Sequence, residues 1–256
     1  VPIPAPVPET FAWYVRLDVG VGTTGGDASQ NGFDYGNSAG YWADAPRRMS
    51  WFDSSSDAFF QGGIGFGRYL SPRFRMDATL DYKTADDYSR TGVFSYDLYN
   101  GPAPGGVVTA DDVRVNGTES VEVADGVMLI NGYFDLVPRG RFTPYIGLGA
   151  GFAARFIERS HTSTETIVSG GVDGASQIWT GDGKDTQFAP AVSATAGFTW
   201  AISQGTMLDV NYRYTYIGSV DTSMTISNGT DERRSKITIN ESHQHAIRAG
   251  LRWNIW

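Results

Sequence analysis

Eight stretches of this chain alternate apolar and polar residues with a period of two. The connections between them are short and long by turns. Residues 73–83 show the pattern most clearly, with Phe74, Met76, Ala78, Leu80 and Tyr82 on one face. Arg73, Arg75, Asp77, Thr79, Asp81 and Lys83 occupy the other. Such alternation belongs to a strand with two unlike faces, because successive side chains of a strand point to opposite sides. One strand of this kind suits a soluble sheet as well as a membrane barrel, so the decision rests on the other seven and on how they are joined.

The first strand, residues 11–21, places Trp13, Val15, Leu17, Val19 and Val21 against Tyr14, Arg16, Asp18 and Gly20. Residues 57–69 set Phe60, Ile64 and Phe66 against Gln61, Gly63, Gly65 and Gly67, and residues 121–136 turn Met128, Ile130, Phe134 and Leu136 outward. Residues 142–156 alternate Ile146, Leu148, Ala150 and Phe152 with Tyr145, Gly147, Gly149, Gly151 and Arg155. The glycines leave room for bulky interior side chains, as a narrow barrel requires. Residues 187–202 and 206–218 continue the pattern, the latter with Asp209, Asn211 and Arg213 inward. The last strand, residues 243–256, sets His245, Ile247, Ala249, Leu251, Trp253 and Ile255 against Arg248, Gly250 and Arg252. Three short turns, two of them with proline, separate four long polar stretches at 22–56, 84–120, 157–186 and 219–242, which are expected to be loops. Long and short connections in strict alternation, with an even strand count, are the signature of an outer-membrane barrel. The expected fold is all-β: an eight-stranded up-and-down antiparallel transmembrane β-barrel with four long extracellular loops, three short periplasmic turns and both termini periplasmic. Residues 11–256 form the barrel, and the proline-rich opening VPIPAPVPET, residues 1–10, is an extended periplasmic tail. Trp13, Tyr69, Tyr82, Trp200, Tyr216 and Trp253 are expected in the interfacial aromatic girdles.

Composition removes several function classes. No apolar run approaches the ~18 residues of a membrane helix, and the mean hydropathy of −0.26 is uninformative for a barrel whose two faces cancel. There is no cysteine, hence no disulfide, thiolate metal site or cysteine nucleophile. The net charge of −8 argues against nucleic acid as a partner. The negative charge is concentrated: the four long stretches, with Asp57, hold twenty acids and nine bases, a net of −11. Asp86-Asp87, Asp111-Asp112 and Asp182 with Asp185 could take Ca²⁺ or Mg²⁺ through carboxylate oxygens, but none has the spacing of a calcium loop, and no metal site or cofactor is assigned.

Two groups of residues are singled out. Arg16, Asp18, Arg75, Asp77, Asp81, Lys83, Arg155, Asp209, Arg213, Arg248 and Arg252 face a lumen only wide enough for side chains to fill. There they would pair and close it, or else line a narrow path for small solutes. Loop aromatics such as Tyr41-Trp42, Trp51-Phe52, Tyr96, Tyr99 and Trp179 would pack a cap or anchor a protein partner. Catalysis is not expected. Among His161, His243 and His245, only Ser242-His243 stands where a rim hydrolase would place its chemistry. The sequence is read as lacking both a His-x-Ser arrangement of the deacylase kind and the paired Asp and Asp-His of omptin-like proteases.

Three features resemble the Omp25/Omp31-like outer-membrane proteins of α-proteobacteria, within the wider group of OmpA- and OmpW-like barrels. A proline-rich start precedes the aromatic first strand Phe11-Ala-Trp-Tyr-Val-Arg, and the fifth strand opens Thr143-Pro-Tyr-Ile-Gly-Leu-Gly-Ala-Gly. Arg248, Gly250, Trp253 and Ile255 fit the C-terminal assembly signal, with Trp256 as an extra terminal aromatic offset by one. The resemblance implies a non-enzymatic structural or surface protein. Its expected partners are outer-membrane lipid and lipopolysaccharide, the barrel assembly machinery during biogenesis, and a protein partner at the loops. A narrow OmpW-like channel is the alternative. Such barrels differ chiefly in their loops.

Overall fold

The computed structural model describes residues 13–26, 28–34, 55–100, 107–137 and 140–255. The proline-rich tail, Trp256 and the aromatics Tyr41, Trp42, Trp51 and Phe52 lie outside them, as do the side chains of Tyr96, Tyr99 and Asp111. Eleven antiparallel strands account for nearly all the rest: β1 (Trp13–Gly26), β2 (Ala28–Asp34), β3 (Ser55–Tyr69), β4 (Phe74–Asn100), β5 (Val107–Asp135), β6 (Phe142–Ser169), β7 (Val172–Ala201), β8 (Thr206–Ile217), β9 (Val220–Ser227), β10 (Glu232–Ile239) and β11 (Ser242–Asn254).

Eight of them close a barrel in the order β1, β3, β4, β5, β6, β7, β8, β11 and back to β1. The closing seam pairs Tyr14 with Asn254, Arg16 with Arg252 and Asp18 with Gly250. Register follows the chemistry of the two faces, since a slip by one residue would turn every arginine toward lipid. Both described ends lie at one rim, where the Ile255 N–H donates to the Trp13 carbonyl at 2.9 Å. Short reversals occupy that rim too, as where the Leu70 and Ile202 amides donate to the carbonyls of Phe74 and Thr206.

The outside of the closed barrel is apolar: Leu17, Val19, Phe60, Ile64, Leu80, Ile130, Ile146, Leu148, Phe188, Val192 and Ile247 are all exposed. An exposed band of this extent around a charged interior is the inverse of a soluble barrel and requires lipid as the outer solvent. The protein is an outer-membrane-type β-barrel. One girdle expectation fails. Tyr69 is only 2% exposed and turns inward against Tyr14, with ring centroids 5.6 Å apart. The tight turn that follows places it on the inner face.

Where described, the four long stretches are largely strand and not loop. β4, β5, β6 and β7 run 27 to 30 residues each, far past the apolar band. β9 and β10 extend the β8–β11 hairpin, and β2 extends β1 and pairs with β10. β6 alone continues 13 residues beyond the exposed Phe156, roughly 40 Å along the strand at ~3.3 Å per residue. Their composition hid this, because both faces of the extension are rich in polar residues and the period of two is muted.

Candidate functional site

The barrel interior is the most elaborate chemistry in the molecule, and β5 shows how it is layered. From the terminal rim upward, its inward residues are Asp135, Tyr133, Asn131, Leu129, Val127, Asp125, Val123, Val121 and Glu119. Polar, apolar, polar, apolar and again polar tiers follow one another, and the neighbouring strands complete each.

The lowest tier holds Arg16, Arg75, Arg213, Arg248 and Arg252 with Asp18, Asp77, Asp81, Asp135 and Asp209, all buried. Arg16 donates from Nε and Nη2 to the two oxygens of Asp18 at 2.8 and 2.9 Å. Asp81 accepts from Arg213 Nη1 at 2.9 Å and Arg248 Nη2 at 2.5 Å. Arg75 bonds Asp135 at 3.2 Å and sits 4.1 and 4.5 Å from the ring centres of Tyr133 and Tyr145. The Tyr145 hydroxyl donates to Asp209 at 2.6 Å. Gly63 makes this packing feasible, because a Cβ there would fall 1.9 Å from Asp81 Oδ1.

Above an apolar ring that includes Val127, Leu129, Ala153, Ala191 and Ile217, a second tier joins Lys83 to Asp86 and Arg155 to Asp125 at 3.3 Å. Gln244 donates to the other Asp125 oxygen at 2.8 Å. A second apolar layer (Val121, Val123, Ile157, Val220, Ile237, Ile239) separates this from a third tier in the extension. There Arg159 bonds Glu119 at 2.5 Å and Arg233 bonds Glu165 at 2.7 Å, with Arg233 lying 3.6 Å over the Trp179 ring. Glu119 also meets His161 Nδ1 at 2.5 Å, and His161 Nε2 lies 3.0 Å from Ser163 Oγ.

All eleven expected lumen charges are therefore buried and inward. The sequence reading missed Asp86, Glu119, Asp125, Asp135, Arg159, Glu165 and Arg233. A signal was available. The eleven assigned residues carry seven positive and four negative charges, an imbalance that an enclosed interior does not tolerate. With the missing residues the described buried charges are nine bases and nine acids, and each tier balances separately: five with five, two with two, two with two. Asp86, Glu119 and Glu165 turn inward out of the acidic stretches, but so do Arg159 and Arg233, so the net charge they leave behind changes by only one.

Two other expectations change. The sequence does contain a His-x-Ser run, His161-Thr162-Ser163, and the structure adds Glu119 to it. The order Ser–His–Glu matches a nucleophile, base and orienting acid, yet Ser163 and His161 are only 4% and 6% exposed and Glu119 is shared with Arg159. Backbone amides on both sides of this stretch are committed to the β5 and β7 ladders. Ser242-His243 is no pair at all, with Ser242 buried inward and His243 exposed outward. Nor do the two aspartate pairs with described side chains converge. Asp86 points into the barrel and Asp87 out of it. Asp182 is exposed, whereas Asp185 accepts from Gln187 at 2.9 Å and Thr222 at 2.8 Å. Those hydrogen bonds hold the Asp185 carboxyl below its ordinary range.

Outside, above the apolar band, strand register sets Asp87, Glu122, Glu158 and Lys184 side by side across four strands, with Lys184 bonded to Glu158 at 2.6 Å. Two rows higher, Thr91, Thr118, Thr162, Thr180 and Ser227 form a line of hydroxyls across five strands. A depression of about 240 Å³ opens among Ser120, Glu122, Glu158, Ser160, Asp182 and Lys184.

No family model matches the chain. It is 28% identical to an uncharacterized protein of Brucella abortus (strain 2308) over 275 residues, covering 98% of this chain and 87% of that protein. A Rickettsia bellii (strain OSU 85-389) protein whose name proposes an adhesin is 23% identical over 244 residues, covering 95% and 88%. Among solved structures, OprG of Pseudomonas aeruginosa aligns with a TM-score of 0.42 and 13% identity, covering 96% of this chain and 98% of that one. Neisserial surface protein A aligns at 0.39 and 16%, covering 95% and 97%. The outer-membrane protease OmpT of Escherichia coli aligns at 0.35 and 11%, covering 94% and 97%.

Proposed function

We propose that this chain is a non-enzymatic, non-conducting surface barrel, whose work is done by the β-walled extension it raises outside the membrane. The observation that carries this reading is the interior itself. Three charge-balanced tiers, with apolar residues between them, line it from the terminal rim into the extension, and this supports a lumen closed to solutes. The narrow-channel alternative needs water beside unpaired charge, and the ion pairs described above argue against it, Arg252 excepted, which donates to Met207 Sδ at 2.8 Å and lies over the Tyr14 and Tyr69 rings. The Ser163–His161–Glu119 chain is read as part of the third tier, a satisfied buried network and not a hydrolase.

With the interior filled, recognition falls to the outer face. There the acidic row and the hydroxyl row offer a flat, stiff, hydrogen-bonding surface for envelope saccharide or a protein partner, in keeping with the adhesin name of the Rickettsia bellii relative. The extension is taken to face the exterior and both chain ends the periplasm, with Arg248, Gly250, Trp253, Ile255 and Trp256 read by the assembly machinery and lipopolysaccharide surrounding the wall. The proline-rich start and the Thr143–Gly151 run support a resemblance to the Omp25/Omp31-like barrels. Expression in a non-adherent Gram-negative host tests the reading. Attachment to cultured epithelial cells or to matrix-coated surfaces should rise, and should fall to background when the extension is trimmed to short hairpins. Equal attachment by the trimmed barrel would overturn the role given to the extension.

A further inference from the structure

The lipid-facing side of β11 carries two imidazoles that neither the interior nor the extension explains. His243 and His245 are exposed, two residues apart on one face, and their strand partners on β8 are Tyr216 and Tyr214. Each ring is fixed by a tyrosine: the Tyr214 hydroxyl meets His243 Nδ1 at 2.7 Å, and the Tyr212 hydroxyl meets His245 Nδ1 at 2.6 Å. The rings also stack, with Tyr214 and His243 6.0 Å apart at 26°.

Their height follows from strand geometry. His243 lies ten residues from the girdle residue Trp253. At ~3.3 Å per residue and a tilt near 40°, that is about 25 Å along the barrel axis, the thickness of the apolar band. The pair therefore sits where hydrocarbon ends and headgroups begin, just above the exposed Ile247. Tyrosine is at home in that layer, and an imidazole there has a ring N–H that can donate to an anionic headgroup.

We propose that His243 and His245 form a binding site for the phosphate of the outer-leaflet glycolipid, the lipid A portion of lipopolysaccharide. With each phenol donating to Nδ1, the neutral ring carries its proton on Nε2, directed away from the tyrosine and available to a phosphate oxygen. Protonation adds positive charge without changing the ring's position, so the site strengthens on acidification. The groups facing the pair are Tyr212, Tyr214 and Tyr216 on β8, Thr23 and Gly25 at the paired positions of β1, and Glu241 and Ile247 on its own strand face. This assignment rests on the outward orientation of the extension proposed above.

The test is ¹⁵N NMR of the three imidazoles in the full barrel, reconstituted in nanodiscs of phosphatidylcholine, of phosphatidylcholine with lipid A, of the same with dephosphorylated lipid A, and of phosphatidylcholine with phosphatidylglycerol. His243→Gln and His245→Gln assign the signals, and buried His161 is the internal reference. Lipid A should move the titration midpoints of His243 and His245 upward by about one pH unit, a tenfold change in proton affinity, with His161 unmoved. Dephosphorylated lipid A and phosphatidylglycerol should produce less than a third of that shift. Equal midpoints in all four discs would overturn the site, and an equal shift with phosphatidylglycerol would overturn its assignment to lipid A. Orientation is read independently, by labelling Ser223→Cys on intact cells with a membrane-impermeant maleimide. A site that fails while this label succeeds refutes the phosphate proposal alone.

Discussion

Asp81 is central to the lowest tier, because its carboxylate holds two buried guanidiniums at once. Arg213 and Arg248 approach its two oxygens at 2.9 and 2.5 Å, and Arg248 also lies 3.3 Å from Asp18. Asp81→Asn keeps the shape and removes the charge, leaving five buried arginines against four aspartates. An ion pair at ~4 Å with an effective dielectric near 20 is worth about 4 kcal/mol, and breaking one side of a buried pair costs about 3–5 kcal/mol. The residual contact of Arg248 with Asp18 puts the expected loss near the lower end, about 3 kcal/mol. Arg248→Met alone should cost a similar amount, by stranding a carboxylate instead of a guanidinium. The double variant restores balance at four and four, so it should be no less stable than either single variant, a coupling of at least ~3 kcal/mol. Urea unfolding from short-chain phosphatidylcholine vesicles, followed by tryptophan fluorescence and by heat-modifiable gel migration, reads all three. If the two single losses simply add in the double variant, charge balance does not hold this tier together.

Other outcomes follow from the same structure. A fluorophosphonate probe should leave Ser163 unmodified in the folded barrel, and mass spectrometry showing an adduct there that His161→Ala abolishes would make the third tier an active site. In the extension, hydrogen bonds from Lys236 and then Thr238 hold the Asp221 carboxyl below its ordinary range. A depressed carboxyl contributes stability above its unfolded-state value that is lost as pH falls through the folded one. Hydrogen-exchange protection of β9 and β10 should therefore decline on acidification through the carboxylate range, and Asp221→Asn should flatten that decline. Deleting residues 253–256 should reduce folded, heat-modifiable protein in the outer membrane severalfold, and an undiminished level would remove the assembly role from this end.

The barrel was legible in the sequence because each transmembrane strand separates its solvents cleanly: Phe74 to Tyr82 read outward and Arg75 to Lys83 inward without a structure. The extension was not, because strands whose two faces are both polar, such as Glu158–Thr166, look like loops to any test of periodicity. The same muting concealed Glu119, Arg159 and Glu165, which become interior residues only once β5 and β6 are known to continue in register. Tyr69 was misplaced for a different reason, since an aromatic at a strand end suits a girdle and a plug equally until the turn fixes its face. His161-Thr162-Ser163 lay in plain view in a stretch assigned to a loop. Its partner Glu119 is 42 residues away and visible only through strand pairing.

Electrical recording tests the proposed closure of the interior most directly. The purified barrel inserted in planar bilayers, at neutral pH and high salt, should give no resolved single-channel steps, and Asp81→Asn should open none that are stable. Reproducible steps from the unaltered protein, altered by changes at Asp81 or Arg248, would contradict the filled lumen and return the narrow channel as the protein's function.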